Sequence, residues 1–172
     1  MNAIILILPL IIIRYGLPAL VNTSSLERAQ FFPPVRGLEK WMLTIYKITI
    51  FLLILSLLLF KINLYNYINY TGVALYLLGM LLYLKSILDF AGSEDGKAIT
   101  KGLYRFSRNP MYVAFFIYFL GINLLIDSIL YFSLLLIFQI SVHFIILSEE
   151  RWCLEEYGRN YRKYLQKVRR YV

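Results

Sequence analysis

The sequence predicts an all-α integral membrane protein of about five transmembrane helices, ending in an amphipathic C-terminal helix at the membrane surface. Three observations carry this expectation. Apolar residues make up 60% of the chain and charged residues 16%, where a soluble domain carries about 25% charged residues. The apolar residues are gathered into runs of about 20, the length that crosses a ~30 Å hydrocarbon core at ~1.5 Å rise per residue. The basic residues gather in alternate connections between those runs. In lipid the backbone must satisfy its own hydrogen bonds, so the runs are read as helices rather than isolated strands.

The first helix is placed at about Ala3 to Val21, interrupted by Pro9 and Pro18 and carrying Arg14 inside it. Its N-terminus has no basic segment and no small-residue cleavage site follows, so it reads as a retained helix and not a signal peptide. Arg14 lies within two turns of the inner end, where snorkelling to the headgroups or pairing within the bundle offsets its cost. The second helix is placed at Met42 to Phe60 and the third at Ile68 to Leu88. The fourth starts at Pro110 or Met111 and ends near Ile126; the fifth runs from Ser128 to Ser148. Only Asp127 and its neighbours separate these two, which predicts a tight antiparallel hairpin. From Ser148 to Val172 the chain reads SEERWCLEEYGRNYRKYLQKVRRYV. Helical spacing puts Glu150, Leu154, Tyr157, Tyr161, Tyr164 and Val168 on one face and the basic residues elsewhere, the pattern of a basic interfacial helix with a possible break at Gly158.

Charge sets the orientation. Arg28, Arg36 and Lys40 lie between helices one and two. Lys85, Lys97, Lys101, Arg105 and Arg108 lie between three and four, and Arg151, Arg159, Arg162, Lys163, Lys167, Arg169 and Arg170 follow helix five. Those connections hold fifteen of the eighteen Lys and Arg residues, and the other two connections hold only Lys61. The asymmetry places the N-terminus outside and the C-terminus in the cytoplasm. The net charge of +8 is therefore expected to face anionic lipid and not nucleic acid, because no basic soluble domain exists to carry the latter. One cysteine, Cys153, precludes an intramolecular disulfide. With one histidine beside it, the chain offers no set of zinc ligands, and no metal site is expected.

Two cytoplasmic segments differ from lipid-facing scaffold. Asp89 to Tyr112 reads DFAGSEDGKAITKGLYRFSRNPMY. Asn109 is a favoured N-cap and Pro110 a favoured first helical residue, so helix four presents its positive end here, beside Arg105 and Arg108. Such an end suits a carboxylate or a phosphate. The other segment carries Glu149 and Glu150 at the end of helix five, near an anionic leaflet, which points to a cationic partner: Arg108 or a bound ligand. Gln139, His143 and Glu150 share roughly one stripe of helix five, with His143 either an interhelical hydrogen-bonding residue or a functional one.

Taken together and in this order, Gly102-Leu103-Tyr104, Arg108-Asn109-Pro110-x-Tyr112 and then Glu149-Glu150, Leu154, Tyr157-Gly158, Tyr161, Tyr164 and Val168 resemble the isoprenylcysteine carboxyl methyltransferase and phospholipid methyltransferase superfamily of membrane enzymes. The resemblance covers about the C-terminal 75 residues. It departs at Asn109, where many members carry His, so no histidine acts at that position. The resemblance implies S-adenosylmethionine as methyl donor and catalytic roles for Arg108, Asn109 and Tyr112. It implies a cofactor site from Gly102, Leu103, Tyr104, Arg108, Asn109, Pro110, Tyr112, His143, Glu149, Glu150 and Tyr157. In it, Arg108 and the helix-four end would hold the donor carboxylate, and Glu149 or Glu150 the ammonium or a ribose hydroxyl. Tyr104, Tyr112 and Tyr157 would pack on adenine or near the sulfonium. The acceptor implied is lipophilic: an isoprenylcysteine carboxylate, a phospholipid amine, a thiol or an isoprenoid.

On this reading residues 1–172 form one membrane domain. Residues 1–88 are a three-helix scaffold, and 89–172 hold the cofactor loop, the hairpin and the C-terminal segment. Two other classes share some of these features. An NADPH-dependent sterol-type reductase has a similar Arg-x-Pro-x-Tyr segment, and a non-enzymatic membrane scaffold needs no Glu pair at all.

Overall fold

The computed structural model describes residues 1–16, 32–93 and 96–172, and these are helical with no β-strand among them. Among the described residues five longer helices follow one another, with a 3-10 turn Gly102–Arg105 before the fourth: α1 (Ala3–Gly16), α2 (Leu38–Ser56, continued by a 3-10 turn Leu57–Leu59), α3 (Tyr67–Ala91), α4 (Pro110–Ile126) and α5 (Ile129–Lys167). The helices containing α2, α3 and α5 are long and apolar enough to cross a membrane, and α1 and α4 are shorter apolar helices beside them. Large apolar side chains such as Phe51, Leu59, Leu81 and Ile140 stand exposed on the outer surface, as expected where lipid is the solvent. Residues 17–21 of the predicted first helix, and Arg28 beyond it, lie outside the described residues.

α1 changes its winding along its length. Asn2 caps it by accepting from the Ile4 N–H at 2.9 Å and donating to the Leu58 carbonyl at 2.9 Å. It begins as a 3-10 helix, becomes α-helical at Leu8 beside Pro9, and ends in a π-helical turn, Ile12–Gly16. The carbonyl of Leu6 has Pro9, which lacks an N–H, as its 3-10 partner. The hydroxyls of Tyr76 and Tyr118 donate to that carbonyl instead, which pins α1 to both α3 and α4.

α3 and α4 pack most closely of all. A Cβ on Gly79 would stand 2.4 Å from the Tyr118 amide nitrogen, and one on Gly121 would stand 2.4 Å from that of Tyr76. Small residues at a crossing let two backbones approach, and packing of this kind holds helices together where lipid supplies no hydrophobic drive. Asn69 adds an interhelical bond, its side-chain amide donating to the Leu124 carbonyl at 2.8 Å. The buried hydroxyls of Thr49, Ser86, Ser141 and Ser148 return to carbonyls of their own helices, so none is left unsatisfied in lipid.

The hairpin turn is as tight as expected: Asp127 takes a left-handed conformation (φ 51°, ψ 57°) and Ser128 caps α5. Its arms nevertheless choose different partners, α4 lying chiefly on α3 and α5 chiefly on α2. The fifth helix also corrects the expected boundary. It does not stop at Ser148 but continues to a kink at Gly158, about 45 Å from its start at ~1.5 Å per residue, beyond a bilayer core. The break expected at Gly158 is present (φ 54°, ψ −124°) and divides the extension of α5 from a second helical segment that ends at Lys167. The bend turns Tyr161 and Tyr164 inward, where both are buried.

Candidate functional site

A cavity of about 530 Å³ opens where the Pro110 end of α4 faces the extension of α5, within the ~300–1,000 Å³ of small-molecule sites. Its wall is mostly aromatic and apolar, including Phe32, Phe90, Met111, Phe115 and Trp152, with Arg14, Lys97, Arg108, Glu149 and Glu150 as charged groups. Of the residues singled out from the sequence, Tyr104, Arg108, Asn109, Tyr112, Glu149, Glu150 and Tyr157 line it. Gly102, Leu103, Pro110 and His143 are not among the lining residues.

The two glutamates have opposite surroundings. Glu150 accepts from Arg170, Nη2 at 2.8 Å and Nε at 3.1 and 3.2 Å, and Arg108 Nη2 lies 3.4 Å away. The pair with Glu150 holds the Arg170 charge more firmly, raising its pKa. Glu149 accepts from the Tyr112 hydroxyl at 2.7 Å. Among the described residues no cation lies within ion-pair distance of it. Arg108 leaves its Nε buried and without a hydrogen-bond partner, an unmet donor of the kind that calls for an explanation.

Asn109 stands at the N-cap position of α4, as expected, but its side chain does not cap the helix. The side-chain amide donates to the Arg170 carbonyl at 3.1 Å, and the Asn109 N–H donates to the Ser107 hydroxyl at 3.1 Å. The Arg108 N–H donates to the Arg169 carbonyl at 3.0 Å. So residues 169–171 run along the loop before α4 and hold it. Tyr171 completes the contact, its hydroxyl 2.7 Å from His143 Nδ1. His143 thus meets the C-terminal segment beyond α5.

The loop before α4 is set by Asp89. Its carboxylate accepts from the Leu103 N–H at 2.8 Å and pairs with Lys85 at 2.6 Å. Gly102 sits against it with φ +61°, and a Cβ there would stand 2.1 Å from the carboxylate. Gly102 and Leu103 therefore shape the turn that presents Tyr104. The Tyr164 hydroxyl donates to the Tyr104 carbonyl at 2.6 Å, and burial pushes the Tyr104 hydroxyl well above its ordinary pKa, keeping it neutral. Over the cavity, Phe32 and Pro33 are held by Arg151 of α5, which donates to the Pro34 carbonyl at 2.9 Å and pairs with Glu39.

Three contributors were missed in the sequence: Arg14, Tyr46 and Arg170. None belongs to a motif, and each reaches the site only through the packing of α1, α2 and the residues after α5.

A family model described as phospholipid methyltransferase matches residues 68–160, more than half of the chain. The chain belongs to the phospholipid methyltransferase family. It is also 37% identical over 79 residues, 44% of its length, to a protein-S-isoprenylcysteine O-methyltransferase of Schizosaccharomyces pombe. That stretch is 33% of the yeast protein, so the chain spans about a third of this relative. The phospholipid methyltransferase match takes in α3, α4 and α5 as far as Asn160, with Tyr104, Arg108, Tyr112 and both glutamates inside it. Arg14, Tyr46 and Arg170 of this phospholipid methyltransferase family member fall outside it.

Proposed function

We propose that the protein transfers a methyl group from S-adenosylmethionine to a lipophilic acceptor at the cytoplasmic face of the membrane. The observation that carries the reading is the pairing of a half-buried carboxylate with no cation in ion-pair distance among the described residues, Glu149, with a buried arginine donor lacking an acceptor, Arg108 Nε, at one aromatic cavity. A buried charge is costly unless partnered. A ligand bearing both an ammonium and a carboxylate would supply the two missing partners at once.

In this reading Arg108 holds the carboxylate of the donor, and Glu149, positioned by Tyr112, holds its ammonium or a ribose hydroxyl. Tyr104, Tyr157 and the aromatic wall take the adenine and surround the sulfonium. The donor supplies an electrophilic methyl group on a sulfonium. The residues of this chain contribute alignment and the exclusion of water, which together can lower a barrier substantially without a covalent enzyme intermediate. Glu150, fixed between Arg108 and Arg170, acts here as the group that orients Arg108.

The test is calorimetric titration of detergent-solubilised protein with S-adenosylhomocysteine, with NADPH in parallel. Saturable binding of the first alone is expected, and Glu150→Ala and Arg108→Ala each remove it while circular dichroism stays unchanged. Binding of NADPH alone would replace the reading with a reductase. Normal binding by both variants would move the donor site elsewhere in the molecule.

A further inference from the structure

Arg14 also lines the cavity, yet it has no part in the donor site. It comes from α1, in the π-helical turn Ile12–Gly16. Single π-turns inside helices recur at functional sites. Its side chain turns to the bundle: Nη1 lies 3.4 Å from the hydroxyl of Tyr83, a residue with no exposed surface. The guanidinium carbon is 5.9 Å from the Tyr15 ring centroid. Among the described residues no carboxylate lies within ion-pair distance of it.

A guanidinium carries five N–H donors in a fork that fits two oxygens of one carboxylate or phosphate. One turned into a membrane bundle with no carboxylate at ion-pair distance among the described residues points to a ligand position. Tyr46 and Tyr112 stand within electrostatic range of both Arg14 and Glu149. The cavity therefore has a cationic side at Arg14 and an anionic side at Glu149, with aromatic surface between them.

We propose that Arg14 binds the anionic group of the lipophilic acceptor, a carboxylate or a phosphodiester, and selects acid-headed lipids over neutral ones. Naming that ligand an acceptor rests on the methyl-transfer reading; the anion site itself does not depend on the donor. An apolar tail leaves toward the lipid side, where Ile11 and Ile12 are exposed.

The experiment is calorimetric titration of solubilised protein, without donor, using three probes: a farnesyl-chain carboxylic acid, dihexanoyl phosphatidylethanolamine, and farnesol as the neutral control. In the unaltered protein the acid or the phospholipid binds at least about tenfold more tightly than farnesol, and whichever does so identifies the anion. Arg14→Gln loses about tenfold or more of that affinity, the scale of one charge-assisted hydrogen bond, while S-adenosylhomocysteine affinity stays within about twofold. Arg14→Lys keeps the preference over farnesol, which covers the case in which the glutamine variant fails to fold. Farnesol binding as tightly as the acid and the phospholipid, or none of the three binding, overturns the proposal. So does Arg14→Gln losing the homocysteine ligand while acid and phospholipid affinities stay unchanged. If S-adenosylhomocysteine does not bind but the acid binds through Arg14, the donor reading fails and the anion site stands.

Discussion

Glu149 and Glu150 are neighbours in sequence with identical side chains, yet the fold separates them by what each meets. Glu150 meets Arg108 and Arg170, and Glu149 meets a tyrosine hydroxyl. Spacing along a helix shows that both stand at one end of α5. It cannot show which of them is neutralised, because the second cation arrives from residue 170. Gly102 carries the opposite lesson. Its place in the motif suggests a ligand contact, but its contact is with Asp89. Gly102→Ala is expected to cost about 1–3 kcal/mol, from the left-handed backbone and the clash with the carboxylate together, read as a lowered thermal midpoint. Gly96→Ala provides the comparison: its φ is also positive, at +73°, but nothing stands within 4 Å of the added Cβ, so the difference between the two variants isolates the clash.

At the scale of elements, hydropathy placed the helices well, since a run long enough to cross lipid is visible without any knowledge of neighbours. The ends of α2 and α3 shift by a few residues, to Leu38–Ser56 and Tyr67–Ala91. The end of α5 was misjudged because hydropathy falls at Ser148 while the hydrogen-bonded helix continues on polar residues to Gly158 and beyond. Pairing between helices was less legible. The short turn at Asp127 predicts a tight hairpin of α4 and α5, which is present, but it does not report that α4 is drawn onto α3 by the glycines at their crossing. Gly79→Leu is therefore expected to force α3 and α4 apart, since its Cβ alone would overlap the Tyr118 backbone. The variant should lose the thermal transition in detergent. Gly16→Ala, whose nearest neighbour is 3.9 Å from the added Cβ, should leave it in place.

For the whole molecule, the seven site residues that line the cavity came from two motifs joined by a hairpin, which is why a third of the wall could be read in advance. Part of the rest, Arg14, Phe32, Pro33 and Tyr46, comes from α1, α2 and the residues before α2, brought in by tertiary packing that no local pattern reports. The charge asymmetry makes a separate prediction about topology: reporter fusions after Phe60 and after Val172 should report opposite sides of the membrane, with the Val172 fusion cytoplasmic. The same result on both sides would require a different number of crossings. The ties between elements also differ in how they respond to ions in solution. Arg36 and Glu155, 3.5 Å apart, have side chains 67% and 56% exposed, while those of Arg108 and Glu150 are 11% and 9% exposed. Electrolyte reaches the first pair freely, and the Debye length shrinks from ~8 Å at 0.15 M to ~3 Å at 1 M. Raising the ionic strength should therefore loosen the Arg36–Glu155 tie while leaving the Glu150 cluster in place. Hydrogen exchange at backbone amides beside Arg36 should then quicken with salt while that beside Arg108 does not, a difference that mass spectrometry can resolve.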